Sequence, residues 1–133
     1  MARKNTPKVY KRNKNEEPRI HRMAKEMLEK AGLHNILDHG WDIFVTRTRC
    51  GYCKYSKQFI TIPEWAIGSA KNSKPGYDWY YVAHELAHAF TSILAKPHGD
   101  EFMQNFMKIC PPEFQHYELG YKPRAAKRNG IRK

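Results

Sequence analysis

The apolar positions first fall into step at Ile20, Met23, Ala24, Met27, Leu28 and Ala31, which share one face of a 3.6-residue turn. Pro18 precedes them where a first helical turn tolerates proline, and Gly32 follows as a stop. The spacing predicts a helix over 18–31. The period then shortens to two. In 41–49, Trp41, Ile43 and Val45 alternate with Asp42, Phe44 and Thr46, in a run rich in aromatic and β-branched residues that predicts a strand. A second short strand is expected over 57–62, ended by Pro63. The Cys50 to Tyr55 stretch between them is short enough to make the pair a hairpin. Residues 68–76 are polar, carry Pro75 and read as a loop.

From Tyr77 the helical period returns in its most apolar form, through Trp79, Tyr80, Val82, Ala83, Leu86, Ala87, Ala89, Phe90, Ile93 and Leu94. Asp78 is placed to cap its start and Lys96-Pro97 to end it. A third helix is expected from Gly99 or Asp100 to Ile109, with Phe102, Phe106 and Ile109 on one face, before Pro111-Pro112. Helices mixed with a small sheet predict one α+β domain over 16–120, flanked by a flexible arm (1–15) and a tail (121–133). No internal repeat is present. A chain of 133 residues fits a single modest core.

Charge changes this picture only at the ends. The net charge is +11. Residues 1–14 hold Arg3, Lys4, Lys8, Lys11, Arg12 and Lys14, and residues 121–133 hold Lys122, Arg124, Lys127, Arg128, Arg132 and Lys133, with no acid in either stretch. All 13 acids lie between them and face the remaining bases in near balance. Basic ends around a neutral body suit phosphate backbones, so DNA or another nucleic acid is an expected partner. No run approaches the length of a membrane span, and the basic N-terminal stretch lacks the apolar region of a secretory signal. Three cysteines (Cys50, Cys53, Cys110) are too few for a disulfide framework, which fits a reduced, cytoplasmic location.

The chemistry lies in the apolar helix. His84-Glu85-Leu86-Ala87-His88 reads HExxH, and on a helix positions i and i+4 share one face. Two imidazoles so placed can ligate one zinc ion, and Glu85 can reach a water bound to it and act as general base. Burying two histidines and a glutamate in an apolar helix without a partner would be costly, so the context supports a site. A third ligand is needed. The continuation to HExxHxxGxxH fails because Thr91 and Leu94 stand where glycine and histidine should be. Glu113 or Glu118 could serve as a distant glutamate ligand. His98, at the start of the following helix, is the better candidate, because a short break lets that helix fold back toward the metal.

These residues resemble the SprT-like family of zinc metallopeptidases, which includes bacterial SprT proteins and the protease domain of Spartan. The match is carried by His84 to Phe90, by Pro97-His98-Gly99-Asp100-Glu101-Phe102, and by Arg47 to Cys53 followed by Phe59-Ile60-Thr61-Ile62. It spans about residues 18–110. The resemblance implies a minimal zincin-like fold, zinc held by His84, His88 and His98, Glu85 as base, and peptide hydrolysis on DNA-associated proteins. Many members carry a C-terminal zinc ribbon with two cysteine pairs, whereas no cysteine follows Cys110 in this sequence. That matches the compact free-standing form that phages often encode, whose location would then be the host cytoplasm.

Other residues are expected to be structural. Cys50 and Cys53 read as incidental thiols in a turn, Cys110 as a buried helix end, and His21, His34, His39 and His116 as surface or locally bonded histidines. Trp79, Tyr80 and Tyr81 read as packing residues. His116, Tyr117 and Tyr121 lie where a donor to a tetrahedral oxyanion could come from. The expected function is a monomeric zinc endopeptidase. The alternative is a nucleic-acid-binding protein with a structural or vestigial zinc site.

Overall fold

Ile20, Met23, Ala24, Met27 and Leu28 are buried as their spacing demands, and they form the inner face of α1 (Glu17–Lys30). Full burial of a side chain such as Leu28 contributes about 1.5–3 kcal/mol. The computed structural model describes Val9 and residues 11–67 and 74–118. Within these limits the chain is a mixed α+β domain in which four helices pack with a three-stranded sheet. The tail and Tyr121 lie outside the described residues, as do most of the arm and of the expected loop.

The sheet corrects the hairpin. Strand β1 (Asp42–Thr46) runs parallel to β3 (Phe59–Pro63), with Ile43 opposite Ile60 and Val45 opposite Ile62. The short β2 (Tyr52–Lys54) pairs antiparallel with the other edge of β3, with Cys53 opposite Ile60. The order is β1-β3-β2. A parallel pair needs a connection of about a dozen residues, and 47–58 supplies one that contains β2. Every residue of β3 is buried, as expected of a central strand covered on both faces. Directly after it, Glu64–Ile67 forms the short α2, which the sequence pattern did not suggest.

The free edge of β1 is covered by the chain's own N-terminal segment. Asn13 N donates to Val45 O at 2.7 Å, and Arg47 N donates to Lys11 O at 2.9 Å. Buried Glu17 ties the corner together. It receives Val45 N at 3.1 Å and the Arg12 guanidinium at 2.8 and 2.9 Å, while that guanidinium also lies 4.4 Å from the Phe44 ring centre. Residues 11–15 thus belong to the domain rather than to a free arm.

The helix α3 (Tyr77–Phe90) runs through the middle of the molecule and touches α1, α2, α4, β2 and β3. Its N-cap is Gly76 rather than a side-chain cap by Asp78. Asp78 instead receives Arg19 of α1 at 3.1 Å. The helix also ends earlier than the apolar run implies. Thr91 is extended, its hydroxyl bonds back to Ala87 O at 2.6 Å, and Ile93 and Leu94 are exposed. The chain turns and enters α4 (Asp100–Ile109), whose Phe102, Phe106 and Ile109 complete the core.

Candidate metal centre

One face of α3 is apolar and buried through Val82, Ala83, Leu86 and Ala87. The other carries Tyr81, His84 and His88 at i, i+3 and i+7 into a cleft. The early end of α3 brings the third histidine to them. From Thr91 the chain loops outward and is braced by Glu101, which receives Ser92 N at 2.7 Å, before it returns to His98. His98 holds φ +59, a left-handed conformation uncommon for a residue with a side chain. Such a conformation costs about 1–3 kcal/mol and persists where surrounding structure enforces it, often at functional sites.

The three imidazoles converge. Nε2 of His98 lies 3.0 Å from Nε2 of His88 and 3.2 Å from Nε2 of His84. Their potential ligand atoms all lie within 4.8 Å of one another. Beneath them Phe102, fully buried, places its ring centre 5.1, 4.6 and 4.9 Å from those of His84, His88 and His98. The rings stand on the hydrophobic core. Tyr55 braces them from the side, its hydroxyl donating to His88 O.

Glu118 stands outside the histidine cluster and orients one member of it. Its Oε1 lies 2.8 Å from Nδ1 of His84 and receives the Tyr80 hydroxyl at 2.9 Å. A carboxylate on Nδ1 makes that nitrogen the donor, which leaves Nε2 of His84 turned toward the other two rings. Burial works to raise the Glu118 carboxyl, but the hydrogen bonds from His84 and Tyr80 and the nearby imidazoles outweigh it and hold it below its ordinary range. Burial, with His84 and His98 adding to it, pulls the His88 imidazole down to about 4. Three imidazole nitrogens that face each other this closely cannot all be satisfied by one another. A cation sharing their lone pairs satisfies all three, and a set of three nitrogens suits zinc.

Glu85 is 4 % exposed, and its Oε1 has no hydrogen-bond partner among the described residues. Burial pushes its carboxyl up to about 7, with His84 pulling it back. An unpartnered buried carboxyl is expensive to keep, and a site that supplies its partner explains it. Glu85 lines the same cleft as the three histidines, a space of about 610 Å³ walled by Cys50 to Cys53, Tyr55, Trp65, Tyr77, Tyr80 and Tyr81.

The geometry brings together His84, Glu85, His88 and His98, as the motif spacing suggested. Glu113 is exposed and lines a separate groove beside Trp79 and Pro112. Cys53 stays a thiol, its burial and the neighbouring Glu85 pushing it up to about 12, and Cys50 is exposed and unpaired with it. Neither joins the histidine cluster. Tyr117 donates to Pro75 O at 2.8 Å and His116 stacks on Tyr117, so neither reaches the cleft. The pattern missed Glu118 as an orienting group, and it missed Tyr81 as a wall of the cleft. Tyr81 could have been found by counting back one turn from His84. No family model, curated protein or solved structure matches the chain.

Proposed function

We propose that the chain is a zinc-dependent endopeptidase of SprT-like type, with a minimal zincin-like site formed by His84, His88, His98 and Glu85. The observation that carries this reading is the convergence of three imidazole nitrogens beside a buried carboxyl, one of whose oxygens has no partner among the described residues, in an open cleft. A structural zinc site closes with four protein ligands, whereas three ligands and an open position are the catalytic pattern. Among the described residues no fourth His, Cys, Asp or Glu joins the three. That favours catalysis over the alternative of a nucleic-acid-binding protein with a structural zinc.

Zinc held by these imidazoles would supply a Lewis acid and lower the pKa of water toward neutrality. The remaining work falls to the chain. His84, oriented by Glu118, and His88 and His98, seated on Phe102, hold their nitrogens in place before any ion arrives. Glu85 takes a proton from the attacking water and passes it to the departing amine, a task suited to a carboxyl poised near neutrality. A peptide is the substrate favoured by the walls. The edge strand β2 borders the cleft, and an extended chain can add to such an edge through backbone hydrogen bonds. The basic ends, which lie mostly outside the described residues, support DNA-associated proteins as the substrate pool.

The test is paired. Glu85→Gln should retain about one zinc per chain and lose cleavage of a protein substrate, while His98→Ala should lose the zinc as well. Cleavage by Glu85→Gln at the wild-type rate would remove Glu85 from the base role.

A further inference from the structure

Tyr81 lies one turn before His84 on the cleft face of α3 and lines the same cleft as Glu85 and the three histidines. Its hydroxyl oxygen accepts Gly51 N at 2.9 Å, a contact between residues 30 apart in sequence. Position 51 is held to glycine chiefly by the neighbouring strand β3, with the Tyr81 ring close beside it. A Cβ on Gly51 would stand 2.3 Å from Thr61 O and 3.0 Å from the Tyr81 ring. The ring is held laterally by Trp65, 5.8 Å between centres, and by Tyr77 at 6.2 Å.

A phenol has one donor hydrogen as well as its acceptor lone pairs. The Gly51 contact uses a lone pair, and the hydroxyl hydrogen of Tyr81 has no acceptor among the described residues. Two other tyrosines of the cleft have spent theirs, Tyr80 on Glu118 and Tyr55 on His88 O. Tyr77 lies a further turn from the histidines, and Tyr52 is half exposed. A backbone N–H therefore fixes the oxygen of Tyr81, a residue lining the cleft, and leaves its hydrogen available as a donor.

We infer that Tyr81 is a catalytic residue that donates a hydrogen bond to the scissile carbonyl oxygen as it gains negative charge. The role rests on the hydrolase reading above. No bond is made or broken at Tyr81 and its proton is not transferred. A preplaced donor aimed at a developing oxyanion acts more strongly on the transition state than on bound substrate.

The experiment compares zinc-loaded wild type and Tyr81→Phe on a quenched fluorescent peptide, with zinc content measured for both. The expected result is a kcat lower by about 100-fold or more with KM and zinc content unchanged. A second readout needs no turnover. A phosphinic peptide, whose tetrahedral anion stands in for the charged carbonyl, should bind Tyr81→Phe more weakly by about the same factor, while the cleaved product peptide binds both proteins alike. Calorimetric titration absorbs any unfolded fraction into the stoichiometry. If Tyr81→Phe does not fold, 3-fluorotyrosine introduced at position 81 keeps the Gly51 contact and sharpens the donor. Phosphinic affinity should then rise with product affinity constant. Equal phosphinic affinities, or losses of phosphinic and product affinity in parallel, overturn the role. If wild type cleaves no peptide, the hydrolase reading fails, and the phosphinic comparison still decides the Tyr81 hydrogen bond. Failure of wild type to bind the phosphinic peptide overturns both.

Discussion

At the scale of single residues, Glu118 separates two accounts of the site. As an orienting group it fixes the His84 ring through Nδ1, and loss of such a carboxylate weakens metal affinity by about 10–100-fold. Glu118→Gln should therefore lower zinc affinity by that factor in competition with a chelator. Unchanged affinity would leave the contact without a role in metal binding. The carboxylate also marks the limit of what the residues reveal in order. His84, Glu85 and His88 were legible because helical geometry is local, and a spacing of four puts both rings on one face. His98 was legible because a short break limits where the next helix can start. Glu118 could be named as a candidate but not given its job, since it stands 34 positions from His84 with the whole of α4 between them.

At the scale of elements, the periodic segments α1 and α4 fall within a residue or two of where their patterns place them. The errors have physical causes. Alternation identifies a strand but says nothing about its partner, so β1 and β3 were expected as a hairpin although they lie parallel. Apolar continuity through Ile93 and Leu94 suggested a longer α3, because the pattern cannot see that Thr91 turns its hydroxyl back on Ala87 O. The corner between the N-terminal segment, α1 and β1 carries its own prediction. Glu17→Ala would leave Val45 N without its buried acceptor and Arg12 without its ion pair. A lost buried acceptor costs about 1–3 kcal/mol, and urea unfolding should show a destabilisation of that order. No measurable change would mean that water replaces the carboxylate and that this corner is looser than its contacts imply.

For the whole molecule, the excess charge sits on the basic ends around a near-neutral body. No described helix is long and apolar enough to cross a membrane. Because residues 11–13 are bonded along β1, a truncation that probes the ends should spare them. Removal of residues 1–8 and 121–133 takes away Arg3, Lys4, Lys8 and the six bases of the tail and leaves the sheet edge paired. If the ends hold DNA, that protein should bind duplex DNA weakly and with a much flatter dependence of log K on log salt, since each neutralised phosphate contributes a slope of about −0.9. An unaltered slope would place any DNA contact on the folded body.

Phe102 has one further consequence. A fully buried ring that props three imidazoles makes the cluster an outgrowth of the hydrophobic interior, so any ion held there would share its foundation with the fold. An ion that binds only the folded chain stabilises it by about 2.7 kcal/mol when present at a hundredfold excess over its dissociation constant. If the three histidines hold zinc as proposed, the cell's free zinc would set how long each molecule survives proteolytic surveillance. Scarcity would thin the population of the protein itself, and abundance would protect it.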